Sequence, residues 1–213
     1  MENRNYALED DKLLQRSRTL RGHFLQYLAE FSAFDPDLNL AYADNWNLLI
    51  NECEAFPTDE ITVDEQQGFT NELEQAKKQG FTAADDLEYY VKKAFPDNKR
   101  IMNEFGFTKT KQARARTLNL IAWLFVMKKV ADDYNAQLTA VGMPASVITN
   151  LENAADNLGN KEIAQEYYKR VRLRLTGQRI EKYNSLFANC KQVDQAAESV
   201  FRNDKERRRL FAI

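Results

Sequence analysis

The sequence predicts an all-α fold, and three observations carry this prediction. Apolar residues recur three and four positions apart over long stretches, which is the period of a helix with one buried face. Seven glycines and four prolines in 213 residues leave room for few turns. No useful length of chain alternates apolar and polar residues as a half-buried strand does. Long helices joined by short turns pack as antiparallel bundles, so we expect one all-helical domain over residues 1–213, with two separable lobes as the alternative.

The first half of the chain, residues 1–106, is predicted to contain five helices. Proline is unfavourable inside a helix, so Pro36, Pro57 and Pro96 mark predicted helix ends. Gly80 is expected to act as a left-handed C-terminal cap, with Thr82 as the N-cap of the next helix. The expected helices cover residues 8–34, 38–56, 64–79, 82–95 and 98–105.

The second half, residues 107–213, is predicted to follow a similar plan. Gly142 is expected to end a long first helix, and Pro144 suits the first turn of the next one. Gly159 then marks a helix end, and Asn160 is expected to cap the following helix. The expected helices cover residues 109–141, 144–158, 160–201 and 204–211.

Two segments of the second half resemble segments about half the chain earlier. Phenylalanine recurs at two positions, lysine recurs at one, and a fourth position is apolar in both segments. The matched residues are Phe95, Lys99, Phe105 and Phe107 against Phe201, Lys205, Phe211 and Ile213. A second match, at nearly the same offset, sets Leu20, Phe24, Tyr27, Phe31 and Phe34 against Met127, Ala131, Tyr134, Leu138 and Val141. Self-similarity at a fixed offset indicates duplication of a structural unit. We therefore predict a bundle of two pseudo-repeated halves with about four to five helices each.

The two halves carry opposite net charge. The whole chain has a formal net charge of −2, but residues 1–106 sum to −10 and residues 107–213 to +8. A charge asymmetry of this kind points to association with a partner or with the other half of the chain.

The common catalytic and metal-binding patterns are missing from the sequence. His23 is the one histidine, and Glu-x-x-His, which di-iron bundles use, does not occur. Each glycine is isolated, so there is no glycine-rich phosphate loop. We therefore expect no catalytic residues, no metal and no cofactor. Cys53 and Cys190 lie on apolar faces and are expected to be buried, reduced thiols.

No apolar run approaches the ~18 residues that a membrane-spanning helix requires. The N-terminus is polar, without the apolar stretch of a signal peptide. These features predict a cytoplasmic protein without a membrane partner.

Clustered cations in the second half form a candidate polyanion-binding site. Several cations on one surface suit a phosphate backbone, because they release its condensed counterions together. The candidate residues are Lys169, Arg170, Arg172, Arg174, Arg179, Arg207, Arg208 and Arg209. A further cluster comprises Lys109, Lys111, Arg114 and Arg116. The same residues also fit three other interpretations. They could form a solvated helix face, pair with the acidic half or with another copy of the chain, or bind an acidic protein partner.

The function these features favour is that of a non-enzymatic interaction or scaffolding module, which binds a protein partner or itself. One alternative is binding of nucleic acid or another polyanion through the basic half. Another is a small-ligand carrier or enzyme with an inter-helical pocket, lined by aromatic residues at Tyr27, Trp46, Trp123 and Tyr134.

Overall fold

The computed structural model describes residues 3–213, and of Lys109 it describes the backbone alone. This part of the chain forms ten α-helices and a 3-10 turn at Phe107–Lys109, with no β-strand, which confirms the all-α prediction. The helices are α1 Asp10–Gln26, α2 Leu28–Phe34, α3 Leu40–Glu54, α4 Asp59–Ala94, α5 Lys99–Glu104, α6 Thr110–Ala115, α7 Thr117–Asp133, α8 Asn135–Ala140, α9 Ser146–Val200 and α10 Lys205–Arg209.

The predicted helix ends at Gly80 and Gly159 are wrong, because α4 and α9 continue through them. Gly80 is buried, and a Cβ atom at this position would lie 3.1 Å from Leu124 Cδ1. The glycine therefore permits a close approach inside the helix and does not end it. Thr82 is likewise no N-cap, since its hydroxyl donates to the Lys78 carbonyl at 3.1 Å within α4.

Two predicted long helices are instead interrupted. Residues 8–34 divide into α1 and α2 at Tyr27 (φ −114°, ψ 28°), and α7 and α8 meet at Tyr134 (φ −101°, ψ 14°). Arg116 separates α6 from α7 in an extended conformation (φ −148°, ψ 143°). The predicted end at Gly142 is confirmed, since its φ of 88° leaves the helical region just after α8.

The chain divides into two compact units. Unit 1 contains α1, α2, α3, the part of α9 from Arg172 onward, and α10. Unit 2 contains α4 from Glu60 onward, α5 to α8, and α9 up to Val171. Each unit thus joins helices from both sequence halves. Residues 1–59 with 172–213 and residues 60–171 each contain 15 Lys or Arg and 16 Asp or Glu, so the charge difference between the halves nearly cancels within each unit.

The core of unit 1 is aromatic and includes a buried hydrogen bond of a tryptophan. Trp46 is fully buried, and its Nε1 donates to the Ser17 hydroxyl at 2.7 Å. Cys53 and Cys190 are buried free thiols, as predicted. Burial raises the pKa of both thiols to about 11.

Helices α1 and α7 each contain 17 residues and bury the same positions. The buried residues of α1 are Leu13, Ser17, Leu20 and Phe24, and those of α7, each 107 residues later, are Leu120, Leu124, Met127 and Ala131. The tyrosine after each helix contacts two phenylalanines. In unit 1, the ring centroid of Tyr27 lies 5.3 Å from that of Phe201 and 6.3 Å from that of Phe211. In unit 2, the ring centroid of Tyr134 lies 5.2 Å from that of Phe95 and 6.2 Å from that of Phe105.

The short helices α5 and α10 also begin in the same way. The Asn98 side chain accepts a hydrogen bond from the Ile101 N–H, and the Asp204 side chain accepts one from the Arg207 N–H. A side-chain acceptor at the N-cap satisfies an amide that has no partner inside the helix.

Candidate interaction surface

Helix α7 in unit 2 presents apolar side chains on its outward side. Residues 118–127 contain a single polar residue, Asn119, so apolar side chains surround this part of the helix. One side packs into the core through Leu120, Leu124 and Met127. The other side leaves Leu118 67%, Phe125 44% and Val126 48% exposed, with Ala122 also exposed between them. We call Leu118, Ala122, Phe125 and Val126 the α7 stripe.

The corresponding positions of α1 in unit 1 are polar. Counted from the first residue of each helix, the stripe positions hold Asp11, Gln15, Arg18 and Thr19 in α1, and all four are exposed. A helix of the same length that buries the same positions therefore forms without apolar residues on its outward side. An exposed apolar patch of this kind is typical of an interaction site.

The chain around the stripe is strongly basic. Residues 105–131 contain six lysines and arginines and no aspartate or glutamate. Lys129 is exposed one turn beyond Phe125, and Arg116 is exposed at the N-cap. Lys128 is engaged by Asp132 at 3.0 Å and by Glu152 at 3.8 Å. The stripe thus lies between Arg116 and Lys129, and the exposed Asp132 and Asp133 follow at the end of α7.

A cleft of about 400 Å³ lies beside the stripe and shares Ala122 and Val126 with it. Trp123 also lines the cleft, and its Nε1 donates to the Phe105 carbonyl at 3.0 Å. This position of the indole depends on Gly106, which has a φ of 75° and whose Cβ, if present, would lie 2.8 Å from Trp123 Nε1. Glycine is therefore required here both for the backbone conformation and for the close contact.

Glu104 lines the same cleft, but its charge is compensated. The Tyr134 hydroxyl donates to Oε2 at 2.7 Å, and Arg100 Nε donates to Oε1 at 2.9 Å. Both hydrogen bonds lower the pKa of Glu104, and the bond from Tyr134 has the larger effect. On the opposite side, Asn119 Nδ2 donates to the Gln112 carbonyl at 3.1 Å and joins α6 to α7. The borders of the cleft are therefore fixed by hydrogen bonds.

The residues predicted to bind a polyanion have different surroundings. Arg179 is buried, with 8% of its surface exposed; it lies 3.5 Å from Asp10 and also pairs with Asp59. Leu73, the residue 106 positions earlier, is buried too. The Arg179 guanidinium is not available to a polyanion.

Three more of these cations pair with a carboxylate on their own helix or its cap. Those pairs are Lys169 with Glu166, Arg207 with Asp204 and Arg209 with Glu206. Arg207 also lies over the Tyr27 ring, 5.3 Å from its centroid. Arg170, Arg174 and Arg208 are exposed, and Arg172 is half-buried. Polyanion binding by these residues stays a prediction. The side chain of Lys109, a member of the other predicted cluster, lies outside the described part.

The four aromatics of the predicted inter-helical pocket belong to different units. Tyr27 and Trp46 are in unit 1, where Trp46 is fully buried and Tyr27 packs against phenylalanines. Trp123 and Tyr134 are in unit 2, and Trp123 lines the cleft beside α7.

Residues 3–213, apart from the side chain of Lys109, contain no group of three His, Cys, Asp or Glu side chains placed to hold a metal ion. Over the same residues, no helix combines the length and hydropathy of a membrane span.

Reasoning from the sequence did not identify the α7 stripe. The available signal was the run from Leu118 to Met127, which has more apolar residues than one buried helix face can hold.

No protein-family model matches the chain, and neither the curated proteins nor the solved structures give a match.

Proposed function

We propose that this protein is a non-enzymatic interaction module, and that the α7 stripe binds an amphipathic helix of a partner protein. The observation that carries the proposal is the exposure of Leu118, Phe125 and Val126 on a helix whose counterpart α1 is polar at the same positions. Helix-in-groove recognition uses apolar anchors three, four and seven residues apart. The cleft beside the stripe, lined by Trp123, offers a pocket for one such anchor.

The charge around the stripe favours an acidic partner. Complementary charge speeds and orients association, and like charge opposes it. If two α7 helices paired antiparallel, Arg116 of each would lie near Lys129 of the other, and parallel pairing would place like residues side by side. Asp132 and Asp133 at the end of α7 offset part of this repulsion, so the preference for an acidic partner over a second copy rests on Arg116 and Lys129. The partner helix carries aspartate or glutamate beside its apolar residues.

We further propose that the chain arose by duplication, and that the two copies have exchanged their C-terminal helices. Three observations support this: the equal lengths and buried positions of α1 and α7, the breaks at Tyr27 and Tyr134, and the matching contacts of these tyrosines with phenylalanines. In each unit the tyrosine comes from one sequence half and the phenylalanines from the other. Exchange also accounts for the charge difference between the halves, because every unit then combines an acidic segment with a basic one.

The binding proposal is tested by titrating designed peptides into protein with fluorine-labelled tryptophans. The two tryptophans, labelled as 5-fluorotryptophan, give one ¹⁹F resonance beside the stripe and one from the core of unit 1. A Trp123→Phe variant assigns them. The peptide carries leucines at helical spacing flanked by glutamates. One control peptide has lysines in place of the glutamates, and the other has glutamines in place of the leucines.

We expect the acidic leucine peptide alone to shift the Trp123 resonance in a saturable way, with Trp46 unchanged. Added salt should weaken this binding, since the charges are exposed. No shift, or an equal shift with the lysine peptide, would contradict the proposal. A shift with single-stranded DNA and not with the acidic peptide would indicate polyanion binding in its place.

A further inference from the structure

A second pocket, separate from the α7 stripe, lies where α4 ends and α5 begins. Its volume is about 660 Å³, within the range of small-molecule sites. The lining residues are Lys92, Phe95, Pro96, Asp97, Lys99, Met102, Asn103 and Thr108, all of unit 2. We call this cavity the corner pocket.

Apolar residues form the walls of the corner pocket. Phe95 is half-buried and is held by Tyr134, with ring centroids 5.2 Å apart. Met102 is half-buried, and its flexible thioether side chain adapts to the shape of a ligand. The chain turns sharply at Asp97, whose φ of 59° is tolerated by aspartate more readily than by most residues. The turn creates the concave corner between the two helices.

The rim of the pocket provides a cation and an amide. Lys99 is exposed, and no carboxylate of the described residues lies within ion-pair distance of it. Lys92 pairs with Glu88 at 2.7 Å. Asn103 Oδ1 accepts from the Thr108 hydroxyl at 2.7 Å, and its Nδ2 supplies the donor of this side chain. Asp97 is the acidic member of the lining, so a ligand with one negative charge suits the rim better than a dianion.

The corresponding corner between α9 and α10 has a different composition. At positions 106 residues later, Phe95 and Lys99 correspond to Phe201 and Lys205, but Pro96 and Met102 correspond to Arg202 and Arg208. Both arginines are exposed, and α10 still forms with its Asp204 cap. The short helix thus does not need apolar residues at these two positions. All three wall positions are apolar at the first corner, whereas at the other corner only Phe201 is apolar.

We propose that the corner pocket binds an apolar molecule with a single carboxylate, which Lys99 and the Asn103 amide receive while Phe95, Pro96 and Met102 contact the apolar part. The probe is decanoate, used below its micellar concentration. Decanol and decyltrimethylammonium have the same chain with no charge or with a positive charge. They separate recognition of the carboxylate from recognition of the apolar chain.

Binding is read from the protein with ¹³C-labelled methionine methyl groups. Met102 reports on the pocket, while Met127 and Met143 are buried in the core and serve as internal controls. We expect decanoate to shift the Met102 methyl resonance in a saturable way, decanol to bind more weakly, and decyltrimethylammonium to bind weakest. An unchanged Met102 signal, or shifts of equal size with all three compounds, would overturn the proposal.

Calorimetric titration of variants then tests the contribution of single residues to binding. Lys99→Gln should weaken decanoate binding by about fivefold, as expected for loss of a partly exposed ion pair, and leave decanol binding unchanged. Lys205→Gln, at the other corner, should leave both unchanged. Met102→Arg introduces the residue found at the corresponding position of α10 and should abolish binding of both compounds. If Met102→Arg does not fold, Lys99→Gln still decides, since unchanged decanoate binding in that variant overturns the role of the cation.

Discussion

Phe125 and Arg18 occupy the same position of two helices of equal length, and both are exposed. Their helices, α7 and α1, bury residues at identical positions on the opposite side. Arg18 pairs with Glu54, whereas Phe125 leaves 44% of its surface exposed. The two helices thus provide a matched comparison inside one chain: the buried side serves the fold, and the outward side differs between them.

The first prediction is that the stripe can be removed without loss of stability. A variant with Leu118→Asp, Phe125→Arg and Val126→Thr carries the α1 residues at three of the four stripe positions and keeps Ala122. Each replaced side chain is exposed, so the free energy of unfolding should change by no more than roughly 0.5 kcal/mol per site. Denaturant unfolding measures this change. As a control, Leu124→Ala removes a buried side chain of the same helix and should cost about 2–5 kcal/mol. A large loss in the triple variant would show that the stripe serves the fold.

The second prediction concerns Gly106 and its contact with Trp123. Gly106→Ala places a Cβ 2.8 Å from the indole in a backbone of positive φ, so both strain and displacement of Trp123 should follow. Gly142→Ala is the matched control, because Gly142 has a φ of 88° and nothing within 4 Å of the added Cβ. The control should lose about 1–2 kcal/mol from the backbone conformation alone. Gly106→Ala should lose more and should move the ¹⁹F resonance of Trp123. Equal losses in the two variants would contradict the close contact.

The third prediction is that the two thiols are unreactive in the folded protein. With a pKa of about 11, Cys53 and Cys190 are ionised in about one molecule in a thousand at pH 8. A disulfide reagent that attacks thiolates should therefore react slowly with the native protein and rapidly with both thiols in denaturant. Fast reaction of either thiol without denaturant would contradict the burial of that residue.

The same thiols predict a pH dependence of stability. Their pKa rises on folding from the ordinary value of 9.0, so the neutral form is favoured in the folded protein. This contribution is complete below pH 9 and is lost as the pH rises through about 11. The free energy of unfolding should therefore fall between these pH values. A variant with Cys53→Ala and Cys190→Ala should show a shallower fall, and an unchanged slope would argue against the prediction.

The sequence predicts the helical class well, and its errors have physical causes. Gly80 and Gly159 look like helix ends, yet α4 and α9 continue, because a single glycine costs only about 1 kcal/mol inside a helix and packing outweighs it. The break at Tyr134 has no proline or glycine to mark it. It coincides with contacts to Phe95 and Phe105, which are distant in sequence.

The candidate site was less accessible to sequence reasoning. Arg179 looks like part of a basic helix face, but Asp10 and Asp59, far away in the chain, surround it. The helical period already separates Leu118 and Phe125 from the residues that α7 buries. It does not show whether another element covers them, and only the tertiary structure shows that they are exposed.

The central claim is that the α7 stripe binds an acidic amphipathic helix, and calorimetric titration with the acidic leucine peptide tests it most directly. The wild-type protein and the triple variant with Leu118→Asp, Phe125→Arg and Val126→Thr are compared at the same salt concentration. We predict saturable binding to the wild type and at least tenfold weaker binding to the folded variant. Equal affinity of the two proteins, or no binding to the wild type, would contradict the claim.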